Sequence, residues 1–86
     1  MVKFKLQFKK SAAKELMALL NKEIKRILQS IDQLIENPRP INSKKLSASE
    51  KYRLRIGNYR VLYEIQDQRL IIFIVKIAHR KEAYKS

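Results

Sequence analysis

Three arginines in one stretch of alternating sequence are the residues best suited to chemistry. Arg53, Arg55 and Arg60 flank Gly57-Asn58, a pair typical of the two-residue turn between antiparallel strands. Such a turn puts Arg55 opposite Arg60 and all three side chains on one face, where like charges destabilise a sheet. Because a guanidinium stays charged and its planar fork suits phosphate, the pattern predicts an anion site. For any single arginine, an ordinary solvated position fits equally well.

Further candidates lie near the two ends of the chain. Lys3 and Lys5 alternate with apolar residues and should point away from the apolar face of a first strand. His79, Arg80 and Tyr84 follow the last predicted strand, and we expect them at the rim of the arginine face. Tyr84 could stack on a base or transfer a proton, although a core or capping aromatic fits as well. Histidine is the side chain suited to proton transfer near neutrality, but for His79 a plain polar position at a strand end is favoured.

Composition excludes several kinds of site. The chain has 86 residues, no cysteine, one histidine and one glycine. A disulfide framework, a thiol nucleophile, a zinc site of the usual kind and a glycine-rich phosphate loop are therefore excluded. The length corresponds to one small domain.

The net charge of +12 comes from 20 basic and 8 acidic residues and divides equally between residues 1–50 and 51–86. A charge that is part of the whole fold predicts a polyanionic partner, namely nucleic acid, an acidic protein or an anionic membrane surface. The longest apolar run, residues 70–75, is too short to span a membrane, and the N-terminus has no apolar stretch of secretory-signal length. A soluble cytoplasmic protein without metal or other cofactor is expected.

The periodicity predicts an α+β fold with the element order β-α-α-β-β-β and a short helical tail over 80–85. Alternation over 2–8 indicates the first strand, and Ser11 should cap a helix that begins at Ala12. A break at Asn21-Lys22 divides the helical pattern into a hairpin, with one bent helix as the alternative. The prolines at 38 and 40 end the second helix, and 41–50 is predicted to be a loop.

Three more strands are predicted over 52–56, 59–65 and 70–77. They should form an antiparallel meander, giving a small antiparallel sheet of about four strands with the helices on its apolar face. A second turn centred on Asp67-Gln68 would place Arg60 opposite Val75.

The stretch from Tyr52 to Ile65, with Tyr59-Arg60 directly after the turn, and the stretch from Ile77 to Tyr84 resemble the RelE/ParE toxin superfamily. The RelE branch is the closer of the two. The resemblance covers essentially the whole chain and implies a single RelE-like toxin domain over 1–86. It implies a toxin of a type II toxin–antitoxin system that cleaves mRNA in the ribosomal A site and so inhibits translation. The partners implied are a cognate antitoxin, the ribosome and mRNA, and a homo-oligomer of the free toxin is not expected.

The resemblance also implies the chemistry, in which the 2′-OH of the RNA attacks its own phosphate without a metal. Arg60 and Arg80 would stabilise the phosphorane charge, and Tyr84 would orient a base. RelE has lysines where this chain has Arg53 and Arg55; since arginine does not give up its proton, these two would clamp phosphate and the general base stays unassigned. The implied catalytic set is Arg55, Arg60, Arg80 and Tyr84, and the RNA-binding set is Lys3, Lys5, Arg53, His79 and Lys81.

Two other functions fit the same pattern. A ParE-like toxin would inhibit DNA gyrase without RNA chemistry. A non-catalytic basic module would bind RNA or an acidic antitoxin-like protein, with steep salt dependence, and leave the RNA intact.

Overall fold

A computed structural model describes residues 3–46 and 51–79. The elements in chain order are β1 (Lys5–Phe8), α1 (Lys10–Met17), α2 (Asn21–Gln33), β2 (Ser43–Lys45), β3 (Lys51–Ile56), β4 (Tyr59–Gln66) and β5 (Ile71–His79). The predicted α+β class is confirmed. The predicted helical tail over 80–85 lies outside the described residues.

The strands form one sheet in the order β1-β5-β4-β3-β2. The predicted meander is confirmed, since β3, β4 and β5 pair antiparallel. The predicted small antiparallel sheet of about four strands differs from the structure in two details. The first strand runs parallel to β5, and β2 adds a fifth strand inside the stretch predicted to be a loop. Alternation reveals a strand but not its direction, and three polar residues of β2 are too few to show any alternation.

Two helices cover one face of the sheet, as predicted, with α1 against β5 and α2 contacting β3. The hairpin is confirmed over the single bent helix, because α1 ends at Met17 and α2 begins at Asn21. The predicted cap is wrong. Helix α1 begins at Lys10, so Ser11 lies within its first turn, and Lys9 at the N-cap makes no side-chain capping hydrogen bond.

The core lies between the helices and the predicted apolar face of the meander. Helical spacing of three or four residues brings one stripe of each helix against alternate residues of the strands. The largest fully buried side chains are Ile27, Ile31, Leu34, Leu54, Val61, Tyr63, Ile72 and Ile74. In the described parts of the chain, no helix is long and apolar enough to cross a membrane.

The pairing of β4 with β5 differs from the prediction. Residues 67–70 form a four-residue connection, and the register shifts by one between Leu62 and Tyr63, which leaves Val75 without a partner across β4. Arg60 therefore lies opposite Ala78 instead of Val75. An extra residue of this kind moves every later side chain of the strand to the other face.

Strand β1 pairs only with the first half of β5. Beyond it, the side chain of Glu15 on α1 takes the place of a neighbouring strand along the edge of β5. Its carboxylate accepts hydrogen bonds from the backbone N–H of Ile77 and from Lys76 Nζ, both at 3.1 Å. A side chain thus satisfies a backbone donor that would otherwise lack its ladder partner. This contact fixes α1 on the end of the sheet that carries the β3–β4 hairpin.

Candidate functional site

The hairpin of β3 and β4 holds the three arginines in the predicted register. Arg55 lies opposite Arg60 and Arg53 lies opposite Leu62. The tight turn forms because Gly57 adopts a φ of +58°, while Asn58 does not take a positive φ, which is the signature of a type II′ turn. The predicted grouping of these three residues on the sheet face away from the helices is therefore confirmed.

The three arginines differ greatly in exposure. Arg55 is exposed and Arg53 is half-buried, whereas Arg60 is only 3% exposed. The cross-strand spacing of an antiparallel pair puts the Cα atoms of Arg55 and Arg60 about 5 Å apart. Arginine carries a permanent positive charge in proteins, so a buried positive charge and an exposed one lie side by side on adjacent strands. Such a pair favours an anion that approaches from the open side.

A fourth cation joins the face from β2, which the sequence did not reveal. Lys44 lies directly opposite Arg53, so its exposed side chain shares the face of the arginines. A cavity of about 400 Å³ opens between these strands, and its lining residues are Ile41, Asn42, Ser43, Lys44, Arg53 and Arg55. The side-chain amide of Asn42 donates to the Arg55 carbonyl at 3.1 Å and holds the wall of the cavity against β3. The Lys44-Lys45 doublet was the only sequence signal available for this part of the site.

The charges of this cavity are not compensated from within the described residues. The ion pairs found in 3–46 and 51–79 are Lys3–Glu36, Arg39–Asp67 and Lys76–Glu15, none of which involves Lys44, Arg53 or Arg55. Among the residues that the structure describes, no carboxylate lines the cavity either. We conclude that the cavity is suited to a phosphate or another multivalent anion.

The structure does not bring Lys3 and Lys5 to this cavity. Lys5 pairs with Ile71 at the start of β5, whereas Arg60 pairs with Ala78 near its end. These two positions of β5 are roughly 20 Å apart along the strand. Lys3 lies 3.9 Å from Glu36 in a surface ion pair. Both lysines are exposed, as expected, but they form a separate region of positive charge.

His79 also lies elsewhere than predicted. It pairs with Tyr59 across β4 and β5, and the two rings meet edge to face with their centroids 5.4 Å apart. Tyr59 belongs to the apolar face, so His79 lies on the helix side of the sheet and not at the rim of the arginine face. The physical reason is the extra residue Val75, which inverts the alternation of β5 before His79 is reached.

The remaining predicted site residues, Arg80, Lys81 and Tyr84, lie outside the described residues. Their roles stay predictions. Within 3–46 and 51–79, no group of three histidine, aspartate or glutamate side chains comes together as a metal site.

A separate polar cluster lies at the other end of the hairpin and is structural. Arg39 donates from Nε to the Tyr52 hydroxyl at 2.9 Å and from Nη2 to Asp67 at 3.0 Å, and these hydrogen bonds raise the pKa of Arg39. The Tyr63 hydroxyl donates to the Pro38 carbonyl at 2.7 Å, and burial raises the pKa of Tyr63. This cluster joins the connection after α2 to the sheet.

Comparisons with known proteins agree with this fold. The family of ParE toxins of type II toxin–antitoxin systems (parDE) matches residues 6–84. RelE1 of Methanocaldococcus jannaschii, which is named as a toxin, is 36% identical over 89 residues that span 99% of both chains. The mRNA interferase toxin RelE of Escherichia coli is 26% identical over 81 residues, which cover 91% of this chain and 84% of that one.

Solved structures give the same result. In the archaeal RelE–RelB complex from Pyrococcus horikoshii, the similar chain has a TM-score of 0.81 and 29% identity, covering 93% of this chain and 97% of its own length. The family match, the identity to RelE1 and this fold lead to one conclusion. The chain belongs to the ParE toxin family of type II toxin–antitoxin systems, within the RelE branch of the RelE/ParE superfamily.

Proposed function

We propose that this protein is the toxin of a type II toxin–antitoxin pair and inhibits translation as a ribosome-dependent endoribonuclease that cleaves mRNA in the A site. The observation that carries the proposal is the exposed Arg55 directly opposite the buried Arg60 and near Arg53, in a region where the described residues place no carboxylate in the cavity lining. The name of the E. coli relative, an mRNA interferase toxin, supports the same chemistry.

Cleavage requires no group from outside the RNA and the protein. The 2′-oxygen attacks the adjacent phosphorus, the bond from phosphorus to the 5′-oxygen breaks, and the products are a 2′,3′-cyclic phosphate and a 5′-OH. One proton leaves the 2′-OH and one reaches the departing oxygen. The phosphorane between these steps carries extra negative charge, which fixed cations stabilise better than water because they need no reorganisation.

The residues divide this work according to their position. Arg60 is buried and held by the sheet, so it can stabilise the phosphorane without first being ordered. Arg55 and Arg53 clamp the flanking charge from the open side of the face. Arg80 adds a second phosphorane contact and Tyr84 orients the base. Arginine does not act as a base near neutral pH, so the group that accepts the 2′-OH proton is not one of these arginines.

The proposed stable partner is a cognate antitoxin, which would cover the cation face while the toxin is inactive. Support comes from the similar archaeal RelE, whose structure was solved as a complex with RelB. The ParE description of the matched family favours a second candidate, a toxin that inhibits DNA gyrase without cutting RNA.

The two candidates are separated by inducing the chain in cells without antitoxin and mapping mRNA 5′ ends by primer extension. Codon-phased cuts restricted to translated message, lost in Arg55→Ala, are expected. Lys25→Ala is the matched control, because it removes an exposed cation from α2, on the other side of the sheet from the arginines. Growth arrest with intact mRNA and blocked replication would instead establish the gyrase candidate. Arg55 is preferred to Arg60 for the variant because an exposed residue can be truncated without creating a cavity.

A further inference from the structure

The cavity beside Arg53 contains two residues that the proposed chemistry does not use. Ile41 is fully exposed, with a relative accessibility of 104%, and Lys44 is exposed on the short strand β2. Both line the cavity of about 400 Å³ that also contains Arg53 and Arg55. A cationic cavity with an exposed branched apolar side chain at its rim is suited to a ligand with both an anionic and an apolar part.

The backbone around Ile41 is ordered by its own hydrogen bonds. The backbone N–H and the hydroxyl of Ser43 both donate to the Pro40 carbonyl, at 2.9 and 2.7 Å. Asn42 is fixed to the Arg55 carbonyl by its side-chain amide. Ile41 therefore lies in a turn whose flanking residues, Pro40 and Asn42, are fixed by hydrogen bonds. A ligand that contacts Ile41 binds a preorganised surface and does not have to order this turn.

The cations form a row along the hairpin. The turn with Ile41 and Asn42 lies at the Arg55 end of the cavity, and Lys44 lies one step further along β3, opposite Arg53. Arg55 and Arg60 face each other at one position of the hairpin, and Arg53 and Lys44 face each other across β3 and β2 two residues further on. Two residues along a strand span roughly 7 Å. That step is comparable with the separation of neighbouring phosphates in an extended single strand, so the two cation pairs can hold successive phosphates.

We propose that Lys44, Arg53 and Ile41 form a nucleotide subsite next to the scissile phosphate. Lys44 and Arg53 bind the neighbouring phosphate, and Ile41, at the Arg55 end of the same cavity, packs against the base that lies between the two phosphates. The subsite rests on the proposed RNA cleavage and makes Ile41 a determinant of which base is accepted there. An aliphatic contact discriminates by the shape and apolar area of the base, without hydrogen bonds.

The test uses the full chain in a ribosome-programmed cleavage assay with short mRNAs that differ in the bases beside the cut. Lys44→Ala should raise KM about tenfold, as expected for one lost charge-assisted contact, and leave kcat within about twofold. Lys45→Ala is the matched control, since Lys45 is exposed on the same strand but pairs with Tyr52 of the opposite face. It should leave both constants within about twofold. Ile41→Ala should flatten the preference among bases at the adjacent position.

Binding of an uncleavable RNA, with a 2′-O-methyl group at the cut, gives a second readout. Lys44→Ala should reduce the slope of log affinity against log salt by about 0.7, the value for one phosphate of a single strand, while Lys45→Ala should leave it unchanged. Thermal melting of each variant checks that the fold is intact.

The outcomes separate the subsite from the function. If the wild-type chain cleaves RNA but Lys44→Ala behaves like Lys45→Ala in both assays, the subsite is refuted and the nuclease stands. If the wild-type chain neither cleaves nor binds RNA on ribosomes, both proposals fall. If Lys44→Ala and Ile41→Ala weaken only the binding of the antitoxin, the cavity is an antitoxin-binding site and the nucleotide subsite is refuted.

Discussion

At the level of single residues, Arg55 and Arg60 illustrate how the arrangement of a binding site can lower the stability of the fold. Two guanidinium groups lie on directly opposed positions of an antiparallel pair, one exposed and one buried. Opposed like charges destabilise a sheet, and a substrate phosphate would convert the same arrangement into a favourable one. Stability and activity should therefore change in opposite directions at Arg55.

Arg55→Thr tests this opposition, because threonine suits a strand and removes the charge. We expect the free energy of unfolding to rise by about 0.5 kcal/mol, within the range measured for cross-strand pairs, while RNA cleavage is lost. Urea denaturation followed by circular dichroism measures the first quantity. Lys5→Thr makes the same change in β1, opposite Ile71, and should not stabilise the chain. A stability of Arg55→Thr below that of Lys5→Thr would contradict the argument.

Tyr63 gives a residue-scale prediction about pH. Burial raises its pKa above the ordinary value of 10.0, and its hydroxyl donates to the Pro38 carbonyl. Above about pH 10 the unfolded chain loses the Tyr63 proton while the folded chain keeps it, so the unfolded state binds fewer protons. The stability due to Tyr63 is therefore complete below pH 10 and is lost as the pH rises through the folded pKa.

Tyr63→Phe should be less stable than the wild-type chain by about 1 kcal/mol at neutral pH, because it loses the hydrogen bond. The difference should shrink as the pH rises above about 10, since phenylalanine does not titrate and the lysines are common to both chains. Guanidinium denaturation at a series of pH values measures it. Parallel stability curves for the two chains across this range would show that Tyr63 does not titrate with unfolding.

At the scale of elements, the β3–β4 hairpin carries the site and Gly57 determines its turn. Gly57 has a φ of +58°, and a Cβ built there would lie 2.9 Å from the Nη1 atom of Arg26 on α2. The side chain of Arg26 can move aside at little cost, but the backbone conformation cannot be relieved without changing the turn.

Gly57→Ala is expected to lower the free energy of unfolding by about 1–2 kcal/mol, the usual cost of a side chain in such a conformation. Asn58→Ala, at the neighbouring turn position without a positive φ, should cost less than half as much. Chemical denaturation compares the two variants. Equal losses would mean that the space taken by Arg26, or the loss of any turn side chain, matters more than the backbone of Gly57.

The elements also show why some features could be predicted from the sequence and others could not. The strands β3 and β4 alternate cleanly around a two-residue turn, so their register and the grouping of Arg53, Arg55 and Arg60 follow from local rules. Strand β2 is too short and polar to show a period, so the sequence does not place Lys44 beside the arginines. His79 lies on the face opposite to the predicted one because one extra residue in β5 inverts the alternation, and nothing local to Val75 reveals that extra residue.

At the scale of the whole molecule, the net charge of +12 connects stability with partners. The Cα radius of gyration is 12.2 Å, so most charges lie within one or two Debye lengths of each other at about 0.1 M salt. The ion pairs of the described residues are all at least partly exposed and offset little of this repulsion. Unfolding separates the charges, so repulsion favours the unfolded chain until a polyanion or salt compensates it.

Raising sodium chloride from about 0.05 M to about 0.5 M should therefore increase the Tm of the free protein by roughly 3–6 °C, which corresponds to somewhat less than 1 kcal/mol for a chain of this length. The same change should weaken its binding to RNA and to an acidic antitoxin, because both depend on released counterions or on opposite charge. Chloride is the right anion for the scan, since sulfate stabilises proteins by exclusion from their surface. A Tm that stays constant or falls over this range would mean that the charges are already compensated within the fold. The basic surface would then be no reason to expect a polyanionic partner, and the proposed RNA cleavage would rest on the arginine hairpin and on the mRNA interferase relative.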